Sequence, residues 1–143
     1  MVENLNRKHR INVKFVARLV KDILKIIKKP QKTQLEVIFL NDAGIKPFNK
    51  KYKHRDRATD VLSFNLGSCG EILISSDTAL RNSRVFNTKF EDELVRYVIH
   101  GILHFFGYED GTPGQRKRMS KKEDAILERL CTQTDLSKVL MRQ

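Results

Sequence analysis

Residues 89–110 read KFEDELVRYVIHGILHFFGYED, and this stretch decides the fold. Leu94, Val95, Val98, Ile99, Ile102, Leu103 and Phe106 leave few polar sides on a helix over 89–106. Such a helix belongs in the middle of a domain, packed on most of its surface. His100 and His104 interrupt it four residues apart, one turn above each other on one face. Gly107 then stands where a helix that must stop wants a residue tolerant of the left-handed conformation. The turn returns Tyr108, Glu109 and Asp110 beneath the helix end. Two imidazoles at this spacing can hold one divalent ion, as in the H-x-x-x-H half of zinc enzymes. Asp110 offers a carboxylate oxygen as third ligand, which leaves a fourth position for water, the mark of a catalytic rather than a structural zinc. The bland alternative is a pair of core histidines satisfied by other partners. An unpaired polar group in an apolar core costs on the order of 1–3 kcal/mol, and a metal would satisfy both rings at once. Gly101, between the histidines, costs a helix roughly 0.5–1 kcal/mol relative to alanine. Close approach of a strand edge or of substrate beside the metal would offset that, and so would tight helix packing.

Outward from this helix, Val16, Leu19, Val20, Ile23, Leu24 and Ile27 fall at helical spacing, so 12–28 reads as an amphipathic helix stopped by Lys29 and Pro30. LEVIFL, Leu35 to Leu40, reads as a strand. Asn41 and Asp42 cap a short helix toward Tyr52, against which Pro47 counts. Val61 to Phe64 and Glu71 to Ile74 are strands joined by a glycine-rich turn. Asp77 to Ser83 suits a brief helix. Thr112-Pro113-Gly114-Gln115 combines an N-cap, a proline at the first helical position and a capping-box glutamine, opening a last helix to about Cys131. The expected architecture is α+β, a small mixed β-sheet covered by helices with a central metal-binding helix.

A length of 143 residues suits one domain over 1–143. Lys and Arg number 28 against 17 Asp and Glu, a formal net charge of +11, which favours an anionic partner, nucleic acid before a membrane surface. Cys69 and Cys131 lack the spacing of a disulfide framework or a cysteine zinc site. No stretch has the length of a membrane span, and MVENLNRKHR has no apolar signal core, so the expected place is the cytoplasm.

A second constellation lies in KKYKHRDRATDVLSFNLGSCGEILIS, residues 50–75. Lys50, Lys51, Lys53, Arg55 and Arg57 form a cationic loop around His54. Such a loop can hold phosphates by charge-assisted hydrogen bonds, with Tyr52 as a stacking or packing ring. A charge run of this kind also occurs as a merely solvated loop.

Together, YKHRDRATDVLSF, CGEILIS and HGILHFFGYED resemble the YbeY family of metal-dependent endoribonucleases, associated with bacterial ribosomal RNA maturation and ribosome quality control. The resemblance covers about residues 34–130, with a weakly similar helix before it. The family pattern H-G-x-x-H-x-x-G-Y-x-H is met by His100 and His104, but its third histidine is Asp110 here. Lys53 stands where the family usually carries an arginine. The resemblance implies a fold similar in arrangement to zinc peptidases, a zinc ion, RNA as substrate and the small ribosomal subunit as context.

Carboxylate oxygen is an acceptable zinc ligand at about 2.0–2.2 Å, and it makes the site more tolerant of harder ions such as manganese. Direct ligation by Asp110 is the expectation, with Glu109 as the competing third ligand. The expected chemistry is hydrolysis of an RNA phosphodiester by a metal-bound water, with Lys53, Arg55 or Arg57 on the scissile phosphate. A metzincin-like peptidase shares the ligand spacing, but Gly101 occupies the place of its glutamate base, and peptide hydrolysis would be slow unless Glu109 or Glu71 reaches the site. A non-catalytic RNA-binding or ribosome-assembly factor with a structural metal fits the charge equally well.

Overall fold

The computed structural model describes residues 1–141. In chain order these form β1 (Val2–Asn4), α1 (Val13–Ile26), β2 (Gln34–Leu40), α2 (Asp42–Lys53), β3 (Val61–Asn65), β4 (Cys69–Ser75), α3 (Ser76–Phe86), α4 (Phe90–Phe105) and α5 (Pro113–Gln133), then a 3-10 turn at Leu136–Val139. The sheet order is β1-β2-β4-β3. β1, β2 and β4 are parallel, and β3 pairs antiparallel with β4 at one edge. This is the small mixed sheet of an α+β fold.

Strand alternation divides the core. Val37 and Phe39 on β2 stand beside Ile72 and Ile74 on β4, on the face covered by α1 and α4. Leu62 and Leu73 point to the opposite face, where Leu40 and Ile45 close a smaller cluster under α2. The stripe Phe15, Leu19 and Ile23 anchors α1, while Leu94 to Leu103 embed α4 on nearly every side.

The seating of α4 is interlocked. A Cβ on Gly101 would overlap Ile72 Cγ2, and a Cβ on Gly70 of β4 would lie 2.5 Å from Phe105 Cδ1. Helix and strand therefore exchange glycines: each contributes one gap and one side chain that fills the other's gap. The edge strand adds polar contacts, since Ser63 Oγ donates to the Gly101 carbonyl at 2.9 Å and Asn65 Nδ2 to the Phe105 carbonyl at 3.3 Å. Four helical residues rise about 6.0 Å and two strand residues about 6.6 Å, so both pairs of contacts stay in step. The helix then stops as its glycine suggests. Gly107 has φ +95°, its N–H donates to the His104 carbonyl, and the Tyr108 N–H donates to that of Leu103, a Schellman closure.

Several boundaries differ from the sequence reading. β1 and the 3-10 turn were not expected, because three or four residues carry no usable periodicity; β1 exists through its pairing with Val37 to Phe39. The first helix ends at Ile26, where Lys28 turns left-handed (φ 59°) and the Lys29 N–H bonds back to Leu24. Cys69 and Gly70 belong to β4 rather than to the turn. Pro47 sits inside α2, which continues past it on the packing of Ile45 and Asn49. The Thr112 capping box forms as read.

Substituting Gly101→Ala should lower stability by about 1–2 kcal/mol in denaturant unfolding, because overpacking against the buried Ile72 outweighs the gain in helix propensity. An unchanged or increased unfolding midpoint would show that the interlock is loose.

Candidate metal centre

His100 and His104 project from the last turns of α4, and the reversal at Gly107 returns Asp110 to meet them. Asp110 Oδ2 lies 3.1 Å from His104 Nε2 and 3.3 Å from His100 Nε2. Donors about 2.0–2.1 Å from one ion at the tetrahedral angle are separated by about 3.3 Å, so this spacing fits a shared small cation. One donor atom from each of the three residues lies within 4.8 Å of the others. Their side chains are only partly covered, so the triad opens to solvent on one side. Two imidazoles and a carboxylate form a donor set that suits zinc and also harder divalent ions.

A residue that the sequence reading missed completes the arrangement. Glu123 of α5 is buried, and its Oε2 accepts a hydrogen bond from His100 Nδ1. Its other oxygen accepts from Arg96 Nη1 at 3.4 Å, while Arg96 Nη2 reaches Asp124 at 2.8 Å. Both carboxylate oxygens are thus paired, the condition for burying such a charge. The bond fixes His100 with its proton on Nδ1 and its Nε2 lone pair toward Asp110, the carboxylate–histidine device that orients metal ligands. Burial alone would lower the His100 pKa, but the hydrogen bond and charge of Glu123, with Asp60 and Asp110 beyond, raise it. Burial pushes the Asp110 carboxyl up, yet the bonds and charges of His104 and His100 outweigh it and hold the group below the ordinary range. The only sequence sign of Glu123 was its place on the otherwise apolar stripe of α5 with Met119, Ile126 and Leu130.

The cationic loop shares the site. A cleft of about 400 Å³ is lined by His100, His104 and Asp110 together with Lys53, Arg55 and Arg57. The loop gets there because α2 ends at His54 in the left-handed conformation (φ 58°), which turns the chain sharply. Asn49, buried on α2, then donates through Nδ2 to the Arg57 carbonyl at 2.9 Å and ties the loop down. Lys50, Lys51 and His54 do not line the cleft. Asp60, which follows the cationic run and has no local motif to mark it, does. Glu109 and Glu71 line other surfaces, so neither carboxylate stands in this cleft.

Metal binding at this triad would need a neutral His100, whereas the Glu123 pair favours its charged form. Because the His100 pKa in the folded chain stands above 6.5, that ion pair stabilises the metal-free fold below the unfolded value and loses its contribution as pH rises through the raised pKa. Metal affinity runs oppositely, so zinc titrations should show weakening that begins above pH 6.5 as pH falls. Glu123→Gln should move that onset downward and weaken affinity at neutral pH by roughly 10- to 100-fold. An onset and an affinity that ignore the substitution would exclude Glu123 from the site.

The sequence model described as Endoribonuclease YbeY matches residues 1–131. Curated relatives named Endoribonuclease YbeY include one from Neorickettsia sennetsu, 34% identical over 119 residues that cover 78% of this chain and 83% of the relative. Another, from Syntrophotalea carbinolica, is 31% identical over 141 residues, covering 90% and 93%. The solution structure of TM1509 from Thermotoga maritima superposes with a TM-score of 0.64 at 32% identity, covering 89% of this chain and 85% of that one. The match runs through both the strand-and-loop segment and the histidine helix, and the chain belongs to the YbeY endoribonuclease family.

Proposed function

We propose that this chain is a metal-dependent endoribonuclease that hydrolyses phosphodiester bonds of ribosomal RNA, with one zinc ion held by His100, His104 and Asp110. Residues 1–143 act as one domain, in the cytoplasm, on RNA of the small ribosomal subunit. The observation that carries this reading is the convergence of the donor triad and three cationic side chains in one cleft. When bound, the ion supplies Lewis acidity toward a phosphoryl oxygen and toward water.

The chain's own groups do the rest. Arg55 and Arg57 present planar guanidinium forks that match two phosphate oxygens, and Lys53 adds a compact charge beside them. Together they bind the scissile phosphate and offset the extra negative charge of the pentacoordinate transition state. Asp60 is the carboxylate besides Asp110 that lines the cleft among the described residues, and it takes the proton from the attacking water. The water oxygen bonds to phosphorus, the P–O bond to the leaving ribose oxygen breaks, and that oxygen takes a proton from solvent, to which Asp60 returns the one it accepted. Glu123, held by Arg96, keeps His100 aimed throughout.

A peptidase fits less well. Gly101 follows His100 where a glutamate base would be needed, and neither Glu109 nor Glu71 lines the cleft. No helix among the described residues is long and apolar enough to cross a membrane.

Zinc titration of three variants tests the ligand set. Asp110→Ala should bind zinc far more weakly, Glu109→Ala should bind as the parent does, and Asp110→His should retain zinc and select it more strongly over manganese. Retained affinity in Asp110→Ala, with loss in Glu109→Ala, would transfer the ligand role to Glu109.

Turnover separates an enzyme from a binder. Asp60→Asn should keep metal and RNA binding while cleavage of a defined ribosomal RNA fragment falls roughly 10²- to 10⁴-fold. Equal rates in parent and variant would remove Asp60 as the base, and an absence of chelator-sensitive cleavage in the parent would leave a binding protein.

A further inference from the structure

Behind the edge strand from the metal lies a second cleft, of about 250 Å³, lined by Phe48, Tyr52, Phe64, Leu66 and Glu71. Its apolar residues face solvent to an unusual degree: Phe48 is 39% exposed, Tyr52 49% and Leu66 59%. Tyr52 and Phe64 meet edge to face, with ring centroids 4.9 Å apart, and Lys51 Nζ lies 5.3 Å from the Tyr52 centroid. Phe64 pairs directly with Glu71 across β3 and β4, so both side chains stand on the α2 side of the sheet. The carboxylate of Glu71 has no ion pair among the described residues.

The two clefts share their walls. On α2, Asn49 and Lys53 line the metal cleft while Phe48 and Tyr52, the adjacent stripe, line the apolar one. On β3, Val61 to Ser63 belong to the first and Phe64 to the second. The two clefts thus adjoin along α2 and β3, so a strand bound in the metal cleft would need only to pass Lys53 to meet the aromatic rings.

We propose that this second cleft is a nucleobase subsite, which takes one unpaired base of the strand whose scissile phosphate lies in the metal cleft and prefers guanine. The proposal rests on the RNA reading above and adds what determines sequence preference. Single-stranded nucleic acid is held by the combination found here, cations that track the phosphates beside aromatic rings on which a base stacks. Glu71 argues for a base rather than a phosphate, since a carboxylate repels phosphate but accepts hydrogen bonds. Guanine offers N1–H and N2–H side by side on its Watson–Crick edge, matching two carboxylate oxygens. Adenine and cytosine offer one amino group there, and uracil one ring N–H.

The test uses end-labelled uridine decamers carrying a single guanosine, adenosine or abasic nucleotide at successive positions, with binding to the zinc-loaded protein followed by fluorescence anisotropy and the oligomer checked intact by gel. Guanosine at one position should tighten binding to the parent, and an abasic nucleotide there should weaken it. Tyr52→Ala should weaken that complex roughly 5- to 150-fold and erase the positional effect, whereas Tyr52→Phe should keep both. Glu71→Gln should keep the stacking contribution and lose the advantage of guanosine. Charge reversal at Lys53 and Arg55 should weaken all oligomers alike and flatten the salt dependence, which reports the phosphate contacts separately. If Tyr52→Ala and Phe48→Ala bind every oligomer as the parent does while the charge reversals still weaken them, the base subsite is wrong and the RNA reading stands. If the parent binds none of the oligomers in a salt-dependent way, both fall together.

Discussion

The close approach of α4 to the β3–β4 edge is the constraint on which the rest of the molecule depends. Side chains of ordinary size at these two contacts would hold the helix farther from the strands. Here Gly101 admits Ile72 and Gly70 admits Phe105, so the helix sinks onto the strands and its carbonyls come within reach of Ser63 and Asn65. His100 and His104 are thereby held beside an edge strand whose preceding loop carries Arg55, Arg57 and Asp60. A helix standing farther out would leave the same residues in the sequence but not in one cleft.

Electrostatics divides the cleft into two halves. One half gathers Asp110 and, behind His100, the buried Glu123, so a divalent ion there would meet a donor set richer in negative charge than three histidines provide. The other half gathers Lys53, Arg55 and Arg57. With Asp110 as third ligand, as proposed, the pull of the metal on an anionic substrate would be reduced, and Lys53, Arg55 and Arg57 would supply that attraction within the same cleft. Arg96 belongs to neither half; it balances Glu123 from the side away from the cleft.

Much of this was legible in the sequence because periodicity and punctuation are local. The buried character of α4, the stop at Gly107, the capping box at Thr112 and the glycine-rich hairpin follow from residues within a turn or two of each other. The meeting of residues 53–57 with the histidine helix was anticipated through the family resemblance and through the strands that follow them, which could border that helix, since nothing local joins segments about 45 residues apart. What escaped the reading depends on tertiary neighbours. Glu123 looks like any acidic residue of a charged helix until α5 packs on α4, and Asn49 looks like an ordinary helix polar residue until it caps the Arg57 carbonyl. β1 is too short to show alternation. Gly101 was marked, but its partner, Ile72, lies in another element.

Glu123 also gives the last helix a part in the site's thermodynamics. The proposed ligands come from α4 and the turn after it, yet the orientation of His100 is borrowed from α5, joined to them by the Gly111–Thr112 connection. Occupancy of the triad and docking of α5 therefore draw on one free energy. An ion bound at α4 would make departure of α5 costlier, and undocking of α5 would release the imidazole that the ion requires. The last helix, exposed along most of its length, would thus become the part of the chain whose local opening reports whether the centre is loaded.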